Sequence, residues 1–126
     1  MATGRSKTER ALGNCWAKLM SNVGHWVQKL PASSLAGLPD WILVTAEVGI
    51  VLVEAKLLQS RGNAFVPSQC TKAQRFFLEA VSRHGGEAYV LVLGPESWYL
   101  HRVKGKVEFL AREVYDRFAR SYDLEF

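Results

Sequence analysis

Two apolar runs separated by three residues constrain this chain more than any other feature. They are D-W-I-L-V-T over 40–45 and G-I-V-L-V-E-A over 49–55, joined by A-E-V. Both are rich in β-branched residues, which favour strands. So short a joint permits only an antiparallel hairpin. Neither run alternates apolar with polar residues, so each is read as buried on both faces and central in a sheet. Yet V-L-V-E-A-K, residues 51–56, ends in an acid and a base. Glu54 and Lys56 are two residues apart and share one face. Pairing Thr45 with Gly49 places Asp40 directly opposite Glu54. The geometry then predicts two carboxylates and one ammonium at one end of an apolar sheet.

The remaining elements follow from periodicity and punctuation. Apolar residues recur at three- and four-residue spacing over 7–23, which predicts a helix that Gly24 can end. H-W-V-Q-K-L at 25–30 reads as a strand, and P-A-S-S-L-A-G-L-P at 31–39 as a loop. A polar loop covers 57–70. A helix over 71–84 closes at Gly85-Gly86. Strands follow at 87–93 and 97–103, around a turn at 94–96, and the last helix spans 107–121. The order is α-β-β-β-α-β-β-α. Strands separated by a helix can be parallel neighbours. The fold class is therefore α/β: a mixed central sheet of about five strands, flanked by helices. The 126 residues fit one domain, 1–126, with 1–6 frayed.

Composition narrows the function classes. No apolar stretch is long enough to span a bilayer, and no signal sequence is visible, so a cytoplasmic protein is expected. Cys15 and Cys70 form no CxxC pair, which argues against a zinc site and for two buried thiols in a reducing compartment. Neither GxGxxG nor a P-loop occurs, so no nucleotide cofactor is expected. The formal charge of +4 resides in residues 1–36, where Arg5, Lys7, Arg10, Lys18 and Lys29 face Glu9 alone. A basic end on a neutral body suits a polyanion such as nucleic acid, and equally a solvated face. His25, His84 and His101 show no pairing and are read as structural.

Directly opposed like charges destabilise a sheet. A hard divalent cation would offset that cost, because Mg²⁺ is commonly held by one or two carboxylates. Lys56 could then place a water or stabilise charge developing on a phosphate. A structural salt bridge between Lys56 and Glu54 fits the same spacing. Two helix residues are similarly double in meaning. Glu9 stands where the macrodipole favours an acid. Thr71 and Gln74 spell a capping box.

The spacing P-D, thirteen residues, E-A-K resembles the signature of the PD-(D/E)xK nuclease superfamily, carried by Pro39, Asp40, Glu54, Ala55 and Lys56. The element order over 7–103 is similar to the restriction-endonuclease-like core of those enzymes. K-T-E-R-A-L at 7–12, Q-K-L-P at 28–31, T-K-A-Q-R-F-F-L and G-G-E-A-Y-V-L-V resemble motifs of Holliday-junction resolvases, of the archaeal, phage or RecU type. G-L-P-D also resembles the virus-type replication-repair nucleases. The chain departs from RecU proteins in lacking their long stalk insertion.

The resemblance implies a Mg²⁺- or Mn²⁺-dependent endodeoxyribonuclease of the crossover-junction type, acting in recombination and repair. Asp40, Glu54 and the Ala55 carbonyl would hold the metal, with Glu9 completing the site. Lys56 would act on the attacking water or the transition state, and Gln74 would help to place either. Arg5, Lys7, Arg10, Lys29, Lys72 and Arg75 would hold the DNA backbone. Four-way junctions imply a two-fold homodimer, for which Trp98, Tyr115 and Phe118 are candidate interface aromatics. The alternatives are a nuclease less selective for DNA structure, or a non-catalytic DNA-binding protein that keeps the fold. A bacterial, archaeal or phage-infected cell would be its setting.

Overall fold

The computed structural model describes residues 2–31, 37–58, 64–94 and 97–119, with side chains from Glu9 onward. Among the described residues, three helices and five strands follow one another as α1 (Ala2–Asn22), β1 (Trp26–Lys29), β2 (Trp41–Thr45), β3 (Gly49–Leu57), α2 (Lys72–Arg83), β4 (Glu87–Leu93), β5 (Trp98–Arg102) and α3 (Arg112–Ala119). A single 3-10 turn, Pro67–Gln69, precedes α2. The α/β class and the order of elements are as the sequence predicts.

The five strands form one sheet in the order β1-β2-β3-β4-β5. Only β3 and β4 run parallel, bridged by α2; the other pairs are antiparallel. In the β2–β3 hairpin Thr45 pairs with Gly49 and Trp41 with Val53. This is the register on which the opposition of Asp40 and Glu54 depends. A slip of one residue would turn Glu54 and Lys56 into the opposite core.

Each face of the sheet carries its own core. On one, Trp16, Ala17 and Met20 of α1 pack on Trp41, Leu43, Val51, Val53, Ala55, Tyr89 and Leu91. On the other, Leu78 of α2 and Tyr115 of α3 pack on Ala88, Val90 and Val92, with Phe65, Cys70, Val103, Val107 and Leu110. β4 is buried on both faces because it lies under helices on each side. Alternation along β3 sends Val51, Val53 and Ala55 to the α1 side, and Glu54 and Lys56 to the α2 side.

Both long helices end as the sequence indicates. After α1, His25 N–H bonds to Met20 O and Gly24 N–H to Ser21 O. After α2, Gly86 N–H bonds to Val81 O and Gly85 N–H to Ser82 O. Each is a Schellman ending whose αL residue is glycine, with φ of 96° at Gly24 and 87° at Gly85.

Four expectations need correction. α1 begins at Ala2, so the backbone read as frayed is helical. α3 begins at Arg112 rather than 107. Val107 and Leu110 have helical spacing but are buried outside any helix: Leu110 forms an antiparallel bridge with Phe65, and Val107 N–H bonds to the Glu79 carboxylate at 2.8 Å. Tyr115 is no interface residue; it is 1% exposed and its hydroxyl donates to Ser97 O. Trp98 is half-buried against the α1-side core, and Phe118 stacks on Tyr99. Cys15 is exposed, because it falls on the outer side of α1, whereas Cys70 is buried.

Candidate active site

The pairing of β2 with β3 stops at Trp41–Val53, but β3 continues to Leu57. The backbone groups of Ala55 and Leu57 on that edge therefore lose their strand partners, and side chains replace them. Asp40 Oδ2 accepts the Ala55 N–H at 2.9 Å. The Glu9 carboxylate lies close enough to the Leu57 backbone for that group to favour its charged form. Gln69 Nε2 donates to Leu57 O at 2.7 Å, while its Oε1 accepts the Val66 N–H. Asp40 itself is fixed because its carbonyl accepts Leu30 N–H at 2.8 Å, one step beyond the β1–β2 ladder. Since N–H and C=O of one residue leave a strand on the same edge, the Ala55 carbonyl faces the same side as the N–H that Asp40 holds.

Glu54 is 1% exposed. Its Oε2 lies 3.5 Å from Lys56 Nζ, and its Oε1 is buried without a hydrogen-bond partner. Burial pushes the Glu54 carboxyl up to about 8; the facing Asp40 charge adds to the rise, and Lys56 opposes it without prevailing. A structural salt bridge would hold the acid low. Here the ion pair is present, but burial and the facing Asp40 outweigh it, which leaves the acid short of positive charge. Glu9, on the first half of α1, is half-buried and likewise raised, by burial first, with Lys56 lowering and Asp40 raising it.

Glu9, Arg10, Gly13, Lys29, Asp40, Trp41 and Ala55 line a cleft beside this strand end. Glu54 and Lys56 are not among its walls, and Asp40 belongs to both settings. Lys29 is aimed into the cleft by Trp41, whose ring centroid lies 4.9 Å from its Nζ. Trp41 is in turn wedged edge-on against Trp16, with centroids 6.0 Å apart.

The structure thus gathers Asp40, Glu54 and Lys56 on the α2 side of the strand end, and Glu9, Arg10 and Lys29 with Asp40 in the cleft on the α1 side. Gln74 does form the capping box: its Oε1 accepts Thr71 N–H and its own N–H bonds to Thr71 Oγ1. Only its Nε2 is left for any other task. Arg75 lies close enough to act on the Cys70 thiol, as do Lys56, Glu54 and Asp40, so the start of α2 flanks the site. Lys72 is exposed in the same turn. The side chains of Arg5 and Lys7 lie outside the described residues. Sequence reasoning missed Gln69. Gln69 reads as one more polar loop residue, and nothing local marks its bond to Leu57.

Two opposed carboxylates, one with an orphan buried oxygen, and a backbone carbonyl nearby are donors suited to a hard cation. Among the described residues no three His, Cys, Asp or Glu side chains converge as a ready ligand cluster. Two carboxylates with water suffice for Mg²⁺, so the residues fit such an ion through Asp40 and Glu54.

No family model and no curated protein matches the chain. Among solved structures it is similar to Hjc of Archaeoglobus fulgidus, a Holliday junction resolvase from an archaeal hyperthermophile. The TM-score is 0.64 at 14% identity, over 86% of this chain and 93% of that one. The likeness is one of fold: this chain shares the fold of that resolvase.

Proposed function

We propose that this protein is a divalent-metal-dependent endonuclease of branched DNA, most specifically a Holliday-junction resolvase working as a two-fold dimer in the cytoplasm. The observation that carries the reading is the buried Glu54, its Oε1 unpartnered, opposed to Asp40 and beside Lys56 at the end of β3. Asp40, Glu54 and the Ala55 carbonyl would hold Mg²⁺ or Mn²⁺, with Glu9 at the margin. Such an ion supplies Lewis-acid stabilisation of a phosphoryl oxygen and a more acidic bound water.

The chain's own residues divide the rest of the work. Asp40 keeps its carboxylate on the strand edge through Ala55 N–H, so its position does not depend on a ligand. Lys56 is mostly buried beside Glu54, and its ammonium would orient a water or meet charge on a non-bridging oxygen. Lys29 and Arg10, on the cleft wall, supply charge to the phosphates of the cut strand. Gln74 Nε2 is available for positioning at the start of α2. Among the described residues no helix is long and apolar enough to cross a membrane.

The test is cleavage of a synthetic four-way junction beside linear duplex and flap DNA, with Mg²⁺ or Mn²⁺. Paired symmetric nicks in the junction alone support resolution. Equal cutting of all three substrates points to a less selective nuclease. No cutting of any by the wild type overturns the catalytic reading and leaves a DNA-binding protein.

A further inference from the structure

A second basic surface starts at the site and leads away from it along α2. Lys72, Arg75 and Arg83 recur with Glu79 at three- and four-residue spacings, so they occupy one flank of the helix. Bonds across to residues 103–107 identify that flank. Ser82 Oγ donates to Val103 O at 2.8 Å and accepts Gly105 N–H at 2.7 Å, and Glu79 Oε2 accepts Val107 N–H. The three bonds hold the V-K-G-K-V segment rigidly against α2, with Lys104 and Lys106 exposed. Arg83 is 63% exposed and only loosely engaged with Glu79, at 3.9 Å. Two acids lie along this stretch. Glu79 is committed to Val107 and Arg83, and Glu108 acts with Lys104 on His101. Five cations thus face two acids.

The flank has a direction and a length. Its first end flanks the candidate site, where Arg75 and Lys56 both act on Cys70. Its far end is where β4 begins. The 12 residues of α2 span about 18 Å at a rise of about 1.5 Å per residue. That is about five nucleotide steps, at roughly 3.4 Å of axial rise each. We propose that the α2 flank and the 103–107 loop, Lys72, Arg75, Arg83, Lys104 and Lys106, grip the sugar–phosphate backbone of a duplex arm running from the Asp40–Glu54–Lys56 site. The inference rests on the DNA-nuclease reading. It adds a second anchor that leads away from the cut and is blind to base sequence.

Binding of a fluorescent four-way junction in EDTA, measured over a range of KCl, tests it. Lys104→Ala/Lys106→Ala should flatten the slope of log K against log salt by about 1.8, since each phosphate contact contributes about 0.9. The affinity deficit against wild type then shrinks about 12-fold between about 50 and about 200 mM KCl. Lys104→Arg/Lys106→Arg should keep the wild-type slope, and so should Lys18→Ala on the opposite helix. Equal thermal midpoints verify that the exposed substitutions leave the fold intact. An unchanged slope in the double alanine variant overturns this second anchor while the nuclease reading stands. Wild type that neither binds nor cuts DNA overturns both.

Discussion

Asp40 reaches across the hairpin to Ala55: its Oδ2 accepts the Ala55 N–H at 2.9 Å, beyond the last strand pair. One carboxylate therefore ends the sheet and opposes Glu54. This dual use explains how two acids tolerate direct opposition. The Asp40 charge is drawn toward a backbone dipole, while burial keeps Glu54 protonated.

Asp40→Asn separates these two duties. Its amide oxygen still accepts the Ala55 N–H, so the midpoint of thermal unfolding should stay within a degree or two of wild type. Cleavage should fall by more than about 100-fold, because Asp40 is proposed to hold the metal and its charge is gone. Asp40→Ala should lose both, destabilising the chain by about 1–3 kcal/mol for the unsatisfied N–H. Melting curves and single-turnover cleavage on the three proteins check this.

Glu54 predicts an unusual pH dependence of stability in EDTA. Its carboxyl titrates near 8 when folded, against 4.5 as the ordinary value. The folded state then binds more protons than the unfolded state between those values, so stability falls as pH rises through that window. The loss is complete above about 8 and is on the order of a few kcal/mol. Glu54→Gln should remove most of the slope, and the variant should be the more stable protein at pH 8. Denaturant midpoints from pH 5 to 9 show it; a flat wild-type profile would contradict the burial of this charge.

The site's geometry was legible in the sequence where local pattern and packing agree. The β2–β3 register follows from the short joint, and Trp41 falls on the α1 side because Asp40 and Glu54 take the other. The bounds of β4 follow from Gly85-Gly86 and Gly94-Pro95. What could not be read rests on partners distant in sequence. Val107 and Leu110 have helical spacing, and bonds to Glu79 and Phe65, distant in sequence, hold them outside a helix. Tyr115 looks like a surface aromatic until Ser97 and the β4 core enclose it. Gln69 gives no sign that it ties the segment after E-A-K to the last carbonyl of β3.

Gln74 can be split between cap and site. Gln74→Glu keeps an acceptor for Thr71 N–H and places a negative charge at a helix N-terminus, so stability should hold or rise. It removes the Nε2 donor. Cleavage should drop by about tenfold if that donor positions Lys56 or water, a contribution of about 1.4 kcal/mol. Gln74→Ala should cost about 0.5–2 kcal/mol of stability. Unchanged cleavage in Gln74→Glu would assign the residue to the cap alone.

Lys56 differs from the acids in that it would serve chemistry without holding the ion. Removing it leaves Asp40 and Glu54 in place but takes away a cation that lowers the Glu54 carboxyl. Lys56→Met, which fills the same largely buried space, should therefore behave in two ways at once. Without metal, Glu54 should titrate still higher, and the pH-dependent loss of stability should shift to higher pH. With Mn²⁺ the variant should still gain thermal stability, because a ligand bound to the folded state raises the midpoint whether or not catalysis follows. Cleavage should nevertheless fall by about 10²–10³-fold, the scale for losing one preorganised charge stabiliser. A variant that cuts at the wild-type rate would return Lys56 to a salt bridge. One that loses the Mn²⁺ stabilisation as well would place it in the binding set rather than in the chemical step.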